Sequence, residues 1–389
     1  MSEKKFVRKS KENFPVVAIC YDFDKTLTPD DMQAQGFIQS VGMNVEDFWS
    51  YSNSLADNNN MDQNLAYMLS MKDKSYGQIL FNRKTLAEYG SKITLFPGVE
   101  EWFERIRKYG RERDVIVEHY IISSGLLEMI EGTSVAQKGA FERVYASSFY
   151  YDEKDMAIWP AQVVNYTNKT QFLFRIEKGV LDVNDPGVND SFAPEDIRVP
   201  FSNIIYIGDS DTDIPCMKLV NSYGGSSIGV YSTDSSDKTK VFKMIRENRI
   251  KYFAPADYSE NGQLDIIVKN IIDRTAVNFK LEGIYFECKK ETKNYDRINT
   301  EDGIVKNDLL ISLSSSRSYA TTHTVIAKMA SIVSWDKDEI DELCAIALRN
   351  GQVRSILRDE DIKLFYSSCF KRTKSLTQNM KSVKEMIES

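Results

Sequence analysis

The chain has 389 residues, 42% hydrophobic and 28% charged, with a formal net charge of −7. That mixture is globular, and long enough for one large domain with insertions or for roughly two to three smaller ones. The acid excess offers no bulk attraction to DNA or to an anionic membrane surface, and no apolar run approaches a membrane span.

Met1 to Asn13 is charged and lacks the apolar segment of a secretory signal. The five cysteines (Cys20, Cys216, Cys288, Cys344 and Cys369) are scattered, and only His119 and His323 accompany them. That set speaks against zinc and suits a reducing compartment, so a soluble cytoplasmic protein is expected.

The first element, Val16 to Tyr21, is an unbroken apolar run that reads as a buried parallel strand. It runs into Asp22-Phe23-Asp24-Lys25-Thr26-Leu27-Thr28, which places two acids and the Thr26 hydroxyl at the carboxyl end of a strand. Ligands bind there in open α/β sheets. Residues 29–94 carry few β-branched residues and read as a mainly helical cap insertion. Asp31 to Val41 is helical, Asp57 to Asn60 a polar loop, and Leu65 to Leu69 the start of another helix. Leu95-Phe96-Pro97-Gly98-Val99 breaks that pattern and leads into a helix, Glu100 to Lys108, stopped by Gly110.

A second strand, His119 to Ile122, ends in Ser123-Ser124-Gly125, with a helix starting at Leu126. Val144 to Tyr150 and Ala157 to Val164 form a hairpin signal, the first run being also readable as a sheet strand. Lys169 stands at the start of a helix, Gln171 to Lys178, ended by Gly179. Asp182 to Pro194 is loop-rich. Phe201 to Ile207 is an apolar strand running into Gly208-Asp209-Ser210-Asp211-Thr212-Asp213. Short strands follow at Ser227 to Tyr231 and Tyr252 to Ala254, and a helix, Leu264 to Ile272, closes the domain. This alternation predicts an α/β fold with a parallel sheet.

From Ala276 the pattern changes, and residues 276–389 read as a mainly helical C-terminal module. Phe279 to Cys288 looks strand-like, and Lys289 to Asp308 reads as loop. Ser312 to Ser318 reads as a solvated linker. Helices are expected at Tyr319 to Val333, after an Asp336–Glu339 capping box until Gly351, and at Asp361 to Phe370. About the last fifteen residues are expected to fray. The helices around Asn350-Gly351 invite a helix-turn-helix reading. Acids such as Asp336, Asp338 and Glu339 would repel a phosphate backbone, so nucleic acid is disfavoured as a partner.

Four pieces carry chemistry. A carboxylate such as Asp22 can attack a phosphoryl group and form an acyl-phosphate, while Asp24 protonates the leaving alcohol and later deprotonates water. Asp209 and Asp213, after a buried strand, can hold Mg2+, with Asp211 a weaker candidate. Ser123 can donate to a phosphate oxygen, helped by the backbone N–H groups of Ser124 and Gly125. Lys169 can neutralise the transferring group; Lys178 on the same helix is its competitor.

In order and spacing these pieces resemble the haloacid dehalogenase superfamily, specifically its Asp-x-Asp-x-Thr phosphatases. The resemblance spans Phe14 to Thr275 and implies a Rossmannoid core of residues 14–28 and 95–275. It implies a nucleophile at Asp22 and an acid/base at Asp24, with Ser123 and Lys169 completing the catalytic set and Thr26, Ser124 and Gly125 at the phosphate. It places Mg2+ on Asp22, the main-chain oxygen of Asp24, Asp209 and Asp213. The insertion resembles the helical cap of the phosphoserine-phosphatase-like branch, where an acid at about the offset of Asp31 contacts a substrate amine. The expected activity is hydrolysis of a small phosphorylated metabolite. A phosphomutase remains open. So does a regulatory subunit that senses a phosphorylated ligand and engages a protein partner, or a second copy, through the C-terminal module.

Overall fold

The computed structural model describes residues 6–192, 196–234, 237–373 and 375–388. The chain divides into two compact units, Met1–Phe279 and Lys280–Ser389.

The first unit is built on a seven-stranded sheet: β1 (Val16–Tyr21), β2 (Ile116–Leu126), β3 (Arg143–Tyr151), β4 (Ala157–Gln162), β5 (Ile204–Gly208), β6 (Ser226–Tyr231) and β7 (Tyr252–Pro255). Their order across the sheet is β4-β3-β2-β1-β5-β6-β7. All neighbours are parallel except the β3–β4 pair, so the run from Val144 is both a sheet strand and half of a hairpin. This is a Rossmann-like sheet with helices on both faces.

β1 lies in the middle, and every one of its residues is buried. Val17, Ile19 and Tyr21 belong to one core, with Trp102, Phe103 and Ile106 of the helix Val99–Arg111. Val16, Ala18 and Cys20 belong to the other, with Phe172, Leu173 and Ile176 of the helix Lys169–Lys178 and Cys216 and Val220 of the helix Ile214–Ser222. A strand packed on both faces has no polar alternation to show, which is why its sequence is an unbroken apolar run.

Between β1 and β2 come a short 3-10 turn, Met32–Ala34, a helical turn, Phe37–Ser40, and the helices Val45–Asn59, Gln63–Ser75 and Arg83–Gly90. The expected polar loop at Asp57 to Asn60 is instead the last turn of Val45–Asn59, closed by Asn60 in the left-handed region at φ 50°. Asparagine tolerates that conformation, so the helix needs no glycine to stop. The two ends of the insertion are stitched together where the Phe96 amide donates to the Leu27 carbonyl at 2.9 Å. The helix Val99–Arg111 runs through Gly110, whose missing Cβ admits the Val117 side chain and the Val115 carbonyl. Of the segment expected to be loop-rich, Asp182 to Pro194, the last two residues lie outside the described ones. So do the first five residues of the charged lead-in.

The second unit carries its own core. Leu310, Leu313, Ile326, Met329, Ile340, Leu343, Tyr366 and Val383 are among its buried residues. Three expectations fail in and before it. Phe279 to Cys288 is helix, within Gln263–Asn299, and most of the segment expected as loop is helix in Gln263–Asn299 and Glu301–Ser314. Ser312 to Ser318 ends that second helix and leads into the next; most of it is exposed, as expected of a linker, but Ser316 is buried, its hydroxyl 2.7 Å from that of Thr322. The expected frayed tail forms the helix Gln378–Glu388, which buries Met380, Val383 and Ile387 at i, i+3 and i+7 on one face. The Asp336–Glu339 capping box forms as expected at the start of Lys337–Arg349.

Candidate active site

At the carboxyl end of β1 the Asp22 amide still donates to Ile207 of β5, at 3.0 Å, and the chain then turns away. The turn falls on Lys25, a non-glycine residue held at φ 56°. Such a conformation is uncommon and collects at functional sites. Amides of Thr26 and Leu27 both donate to the Phe23 carbonyl, and the Tyr258 hydroxyl fixes the Thr26 carbonyl at 2.8 Å. The Thr26 hydroxyl is buried and has no hydrogen-bond partner.

Carboxylate oxygens of Asp22, Asp209 and Asp213 lie within 4.8 Å of one another, an acidic cluster able to hold a metal ion. Asp213 reaches it from the turn after β5 because Gly208 has no side chain: a Cβ there would stand 2.5 Å from Asp213 Oδ2. Asp211, the weaker metal candidate, lies outside the cluster and faces Arg249 at 3.8 Å.

Lys169, fully buried, bridges two of the three acids, with its Nζ 3.1 Å from Asp22 and 2.8 Å from Asp213. Burial disfavours its charge, but the Asp213 and Asp22 carboxylates outweigh this and hold its pKa above the ordinary lysine value. Lys178 instead donates to the Val188 and Asp190 carbonyls. Burial, then the neighbouring Asp213, pushes Asp22 up to about 6 against the pull of Lys169. Asp209 rises to about 7 through burial and the charges of Asp213 and Asp22, while Lys240, 3.8 Å away, and Lys25 oppose the rise.

Asp24 stands apart from this cluster. Its Oδ1 accepts the Met32 amide at 2.8 Å, and burial together with Asp31 and Asp22 raises its pKa well above the usual carboxylate range. Gly125 lets it do so, since a Cβ at that position would lie 3.0 Å from Asp24 Oδ2 and 2.2 Å from Met32 Cε. Ser123, Ser124 and Gly125 sit on an irregular stretch of β2, where pairing with β3 slips between Ile122 and Leu126, rather than beyond the strand's end. The Ser123 hydroxyl accepts from the Gly125 amide at 3.1 Å. The Ser124 carbonyl accepts from the hydroxyls of Tyr67 and Ser147. Asp31 pairs with Lys25 at 2.8 Å.

Sequence reasoning missed Tyr206, whose hydroxyl donates to Asp213 at 2.9 Å, Ser210, which donates to the same carboxylate, and Tyr67. Nothing in a helical insertion marks Tyr67 as a partner of a loop 57 residues away, and a tyrosine inside an apolar strand reads as core, although Tyr206 stands only seven residues before Asp213.

The profile of haloacid dehalogenase-like hydrolases matches residues 19–218, just over half of the chain and the stretch that contains every acid of the cluster. The chain belongs to that family. An uncharacterized protein of Borreliella burgdorferi is 26% identical over 278 residues, covering 64% of this chain and 94% of its own length. Among solved structures, a haloacid dehalogenase family hydrolase from Salmonella enterica serovar Typhi covers 67% of this chain and 74% of its own at 15% identity and a TM-score of 0.44. A probable phosphoserine phosphatase from Vibrio cholerae covers 68% and 66% at 13% identity, also with a TM-score of 0.44. In this haloacid dehalogenase-like chain the three clustered acids, Asp22, Asp209 and Asp213, all belong to the first unit. No helix among the described residues is long and apolar enough to cross a membrane.

Proposed function

We propose that this hydrolase is a Mg2+-dependent phosphomonoesterase that works through an aspartyl-phosphate on Asp22. The observation that carries the reading is the division of labour between the two acids. Asp22 lies in the acidic cluster against Lys169, whereas Asp24 lies outside it, anchored by the Met32 amide, with burial raising its pKa above the usual carboxylate range. The donor set, three carboxylates converging in a buried place, suits a hard cation that prefers oxygen. Asp22, Asp209, Asp213 and the Asp24 main-chain oxygen would hold it. When bound, Mg2+ offsets the repulsion between the Asp22 carboxylate and an incoming phosphate.

In the first step a carboxylate oxygen of Asp22 attacks phosphorus, the ester P–O bond breaks, and the departing alkoxide takes the proton of Asp24. In the second, the Asp24 carboxylate takes a proton from water, the hydroxide attacks phosphorus, and the bond to Asp22 breaks to release phosphate. Lys169 neutralises charge on the transferring group and keeps Asp22 ionised, while Ser123 and the Ser124 amide hold the phosphate oxygens, joined by the Gly125 amide once it releases the Ser123 hydroxyl. The orphaned Thr26 hydroxyl faces the same task. A dehalogenase would have no use for Asp24, since a halide leaves without a proton. The helices between Leu27 and Phe96 act as a cap over a small phosphorylated substrate. Asp31 would have to exchange Lys25 for a substrate amine, so a phosphoserine-like amine is the weaker choice.

Hydrolysis of an aryl phosphate tests the proposal. Turnover should require Mg2+, stop with EDTA, and fall on the order of a thousandfold or more in Asp22→Asn. Asp24→Asn should release a burst of about one phenol per active site and then stall, because a good leaving group needs no acid but the second step still needs a base. Full turnover by Asp22→Asn ends the proposal.

A further inference from the structure

The helix Gln63–Ser75 is tied by its first turns to two separate parts of the candidate site. Its N-cap, Asp62, uses the two oxygens of one carboxylate for different jobs. Oδ1 accepts the amides of Asn64 and Leu65, at 2.9 and 3.1 Å, and so caps the helix. Oδ2 accepts from Asn165 Nδ2 at 2.9 Å, and the Asn165 carbonyl in turn accepts the backbone amide of Lys169 at 3.1 Å. Asn64 adds a second tie to the same loop, donating through Nδ2 to the Val164 carbonyl at 2.9 Å. One turn further on, the buried Tyr67 donates its hydroxyl to the Ser124 carbonyl at 2.6 Å. Ser147 closes the circuit, donating to the same carbonyl at 3.1 Å and accepting the Val164 amide at 3.0 Å.

Capping alone needs only one oxygen, and burying a tyrosine needs no bond to that particular carbonyl. The Tyr67 contact ends on the backbone of the Ser123–Gly125 stretch, and the Asp62 contact ends on the side chain of Asn165, whose carbonyl holds the amide of Lys169, the first residue of the Lys169–Lys178 helix. We infer that Asp62 and Tyr67 are positioning residues, through which seating of this helix sets the Ser123–Gly125 loop and Lys169 in catalytic register together. The inference rests on the phosphomonoesterase reading for its consequence in rate, but not for its consequence in backbone order. Neither residue touches the reacting atoms. They act through Ser124 and Asn165.

Two variants separate this role from ordinary packing. Tyr67→Phe removes one hydroxyl and keeps the ring. Asp62→Ser retains a side-chain oxygen that caps nearly as well as aspartate, but supplies no second oxygen for Asn165. In the full chain, with an aryl phosphate and saturating Mg2+, each should lower kcat by about ten- to a hundredfold, the scale on which a misplacement of order 1 Å acts. KM and melting temperature should change little. The double variant should lose less than the product of the two single losses, because both act through one seating event. Hydrogen exchange at the amides of Gly125 and Lys169 should quicken by about tenfold in each variant, on the scale of local opening. Unchanged kcat and unchanged exchange overturn the inference, as does a fall in melting temperature with kcat per folded molecule intact. If the wild-type chain turns over no phosphate ester, the phosphomonoesterase reading fails by itself, and the exchange measurement still decides whether the helix orders both loops.

Discussion

Gly208 leaves no room for a side chain beside the acidic cluster. A Cβ there would come within 2.5 Å of Asp213 Oδ2 and 2.7 Å of its Cγ, and that carboxylate cannot swing aside freely. It is held by Lys169, by the Tyr206 hydroxyl and by Ser210. Gly208→Ala should therefore displace Asp213 and drag Lys169 with it. We expect kcat to fall on the order of a hundredfold, and overpacking to cost about 1–3 kcal/mol of stability. A Mg2+ titration of the variant should reach half-saturation at a higher Mg2+ concentration than wild type, and wild-type kinetics would refute the argument. The sequence made Asp209 and Asp213 visible as a pair of acids after an apolar strand. It could not show why a glycine precedes them, because the reason is a close approach that only the folded turn creates.

Among the elements, β2 links the site to the protein's acid limit. Its residue His119 is fully buried below Tyr21, the residue before the nucleophile. Trp102 Nε1 donates to the Tyr21 hydroxyl at 2.7 Å, which leaves that hydroxyl to donate to His119 Nδ1, at 3.0 Å. His119 Nε2 then donates to the Phe103 carbonyl at 3.2 Å, a set of bonds that requires the neutral ring. Burial, with the nearby Arg107, pushes the His119 pKa down to about 3 from 6.5. A depressed folded value means the contribution is complete above 6.5 and is lost as pH falls from there toward 3. His119→Gln keeps one acceptor and one donor but cannot titrate. The stability advantage of wild type over this variant should shrink steadily below pH 6.5, by unfolding measured across pH; a constant difference would contradict it. The neighbouring Glu118 adds to the acid loss at lower pH. Burial would raise its pKa, but Arg198, Lys9 and Tyr120 bring it down to about 2, so its share disappears as pH falls from 4.5 through that value.

Elements were legible where burial imprinted a pattern. β1 announced itself by packing on both faces, and Val99–Arg111 by Trp102, Phe103 and Ile106 at helical spacing. Of the helix Gln263–Asn299 only the buried start, Leu264 to Ile272, did. Most of its side chains between Val277 and Asp296 are exposed, so there is no buried face to impose a 3.6-residue period, and aromatic residues such as Phe279, Tyr285 and Phe286 mimic a strand. In Gln378–Glu388 the signal was present in Met380, Val383 and Ile387, but polar neighbours outweighed it.

At the scale of the whole chain, the two units have hydrophobic interiors with no residue in common. Separate cores imply separate cooperative transitions, and each unit should answer to its own mutations. Leu343 is fully buried in the second unit, and Leu343→Ala should lower that unit's stability by about 2–5 kcal/mol. The first unit's transition and the aryl phosphatase rate at room temperature should stay where they are. Titration supplies an independent mark. His323 lies between Asp361, 2.7 Å from Nδ1, and Asp359, 3.1 Å from Nε2, and these hydrogen bonds raise its pKa above 6.5. The sign is opposite to that of His119: the stabilisation is complete below pH 6.5 and is lost as pH rises through the folded value. Because His323 is partly exposed, the effect should be small and should weaken with salt. His323→Gln should thus erase a difference seen in the second transition at pH 6 but not at alkaline pH, while leaving the first transition untouched. Calorimetric scans of wild type, Leu343→Ala and His323→Gln at two pH values would read both effects. A single transition shifted as a whole by either substitution would show that the two cores unfold as one.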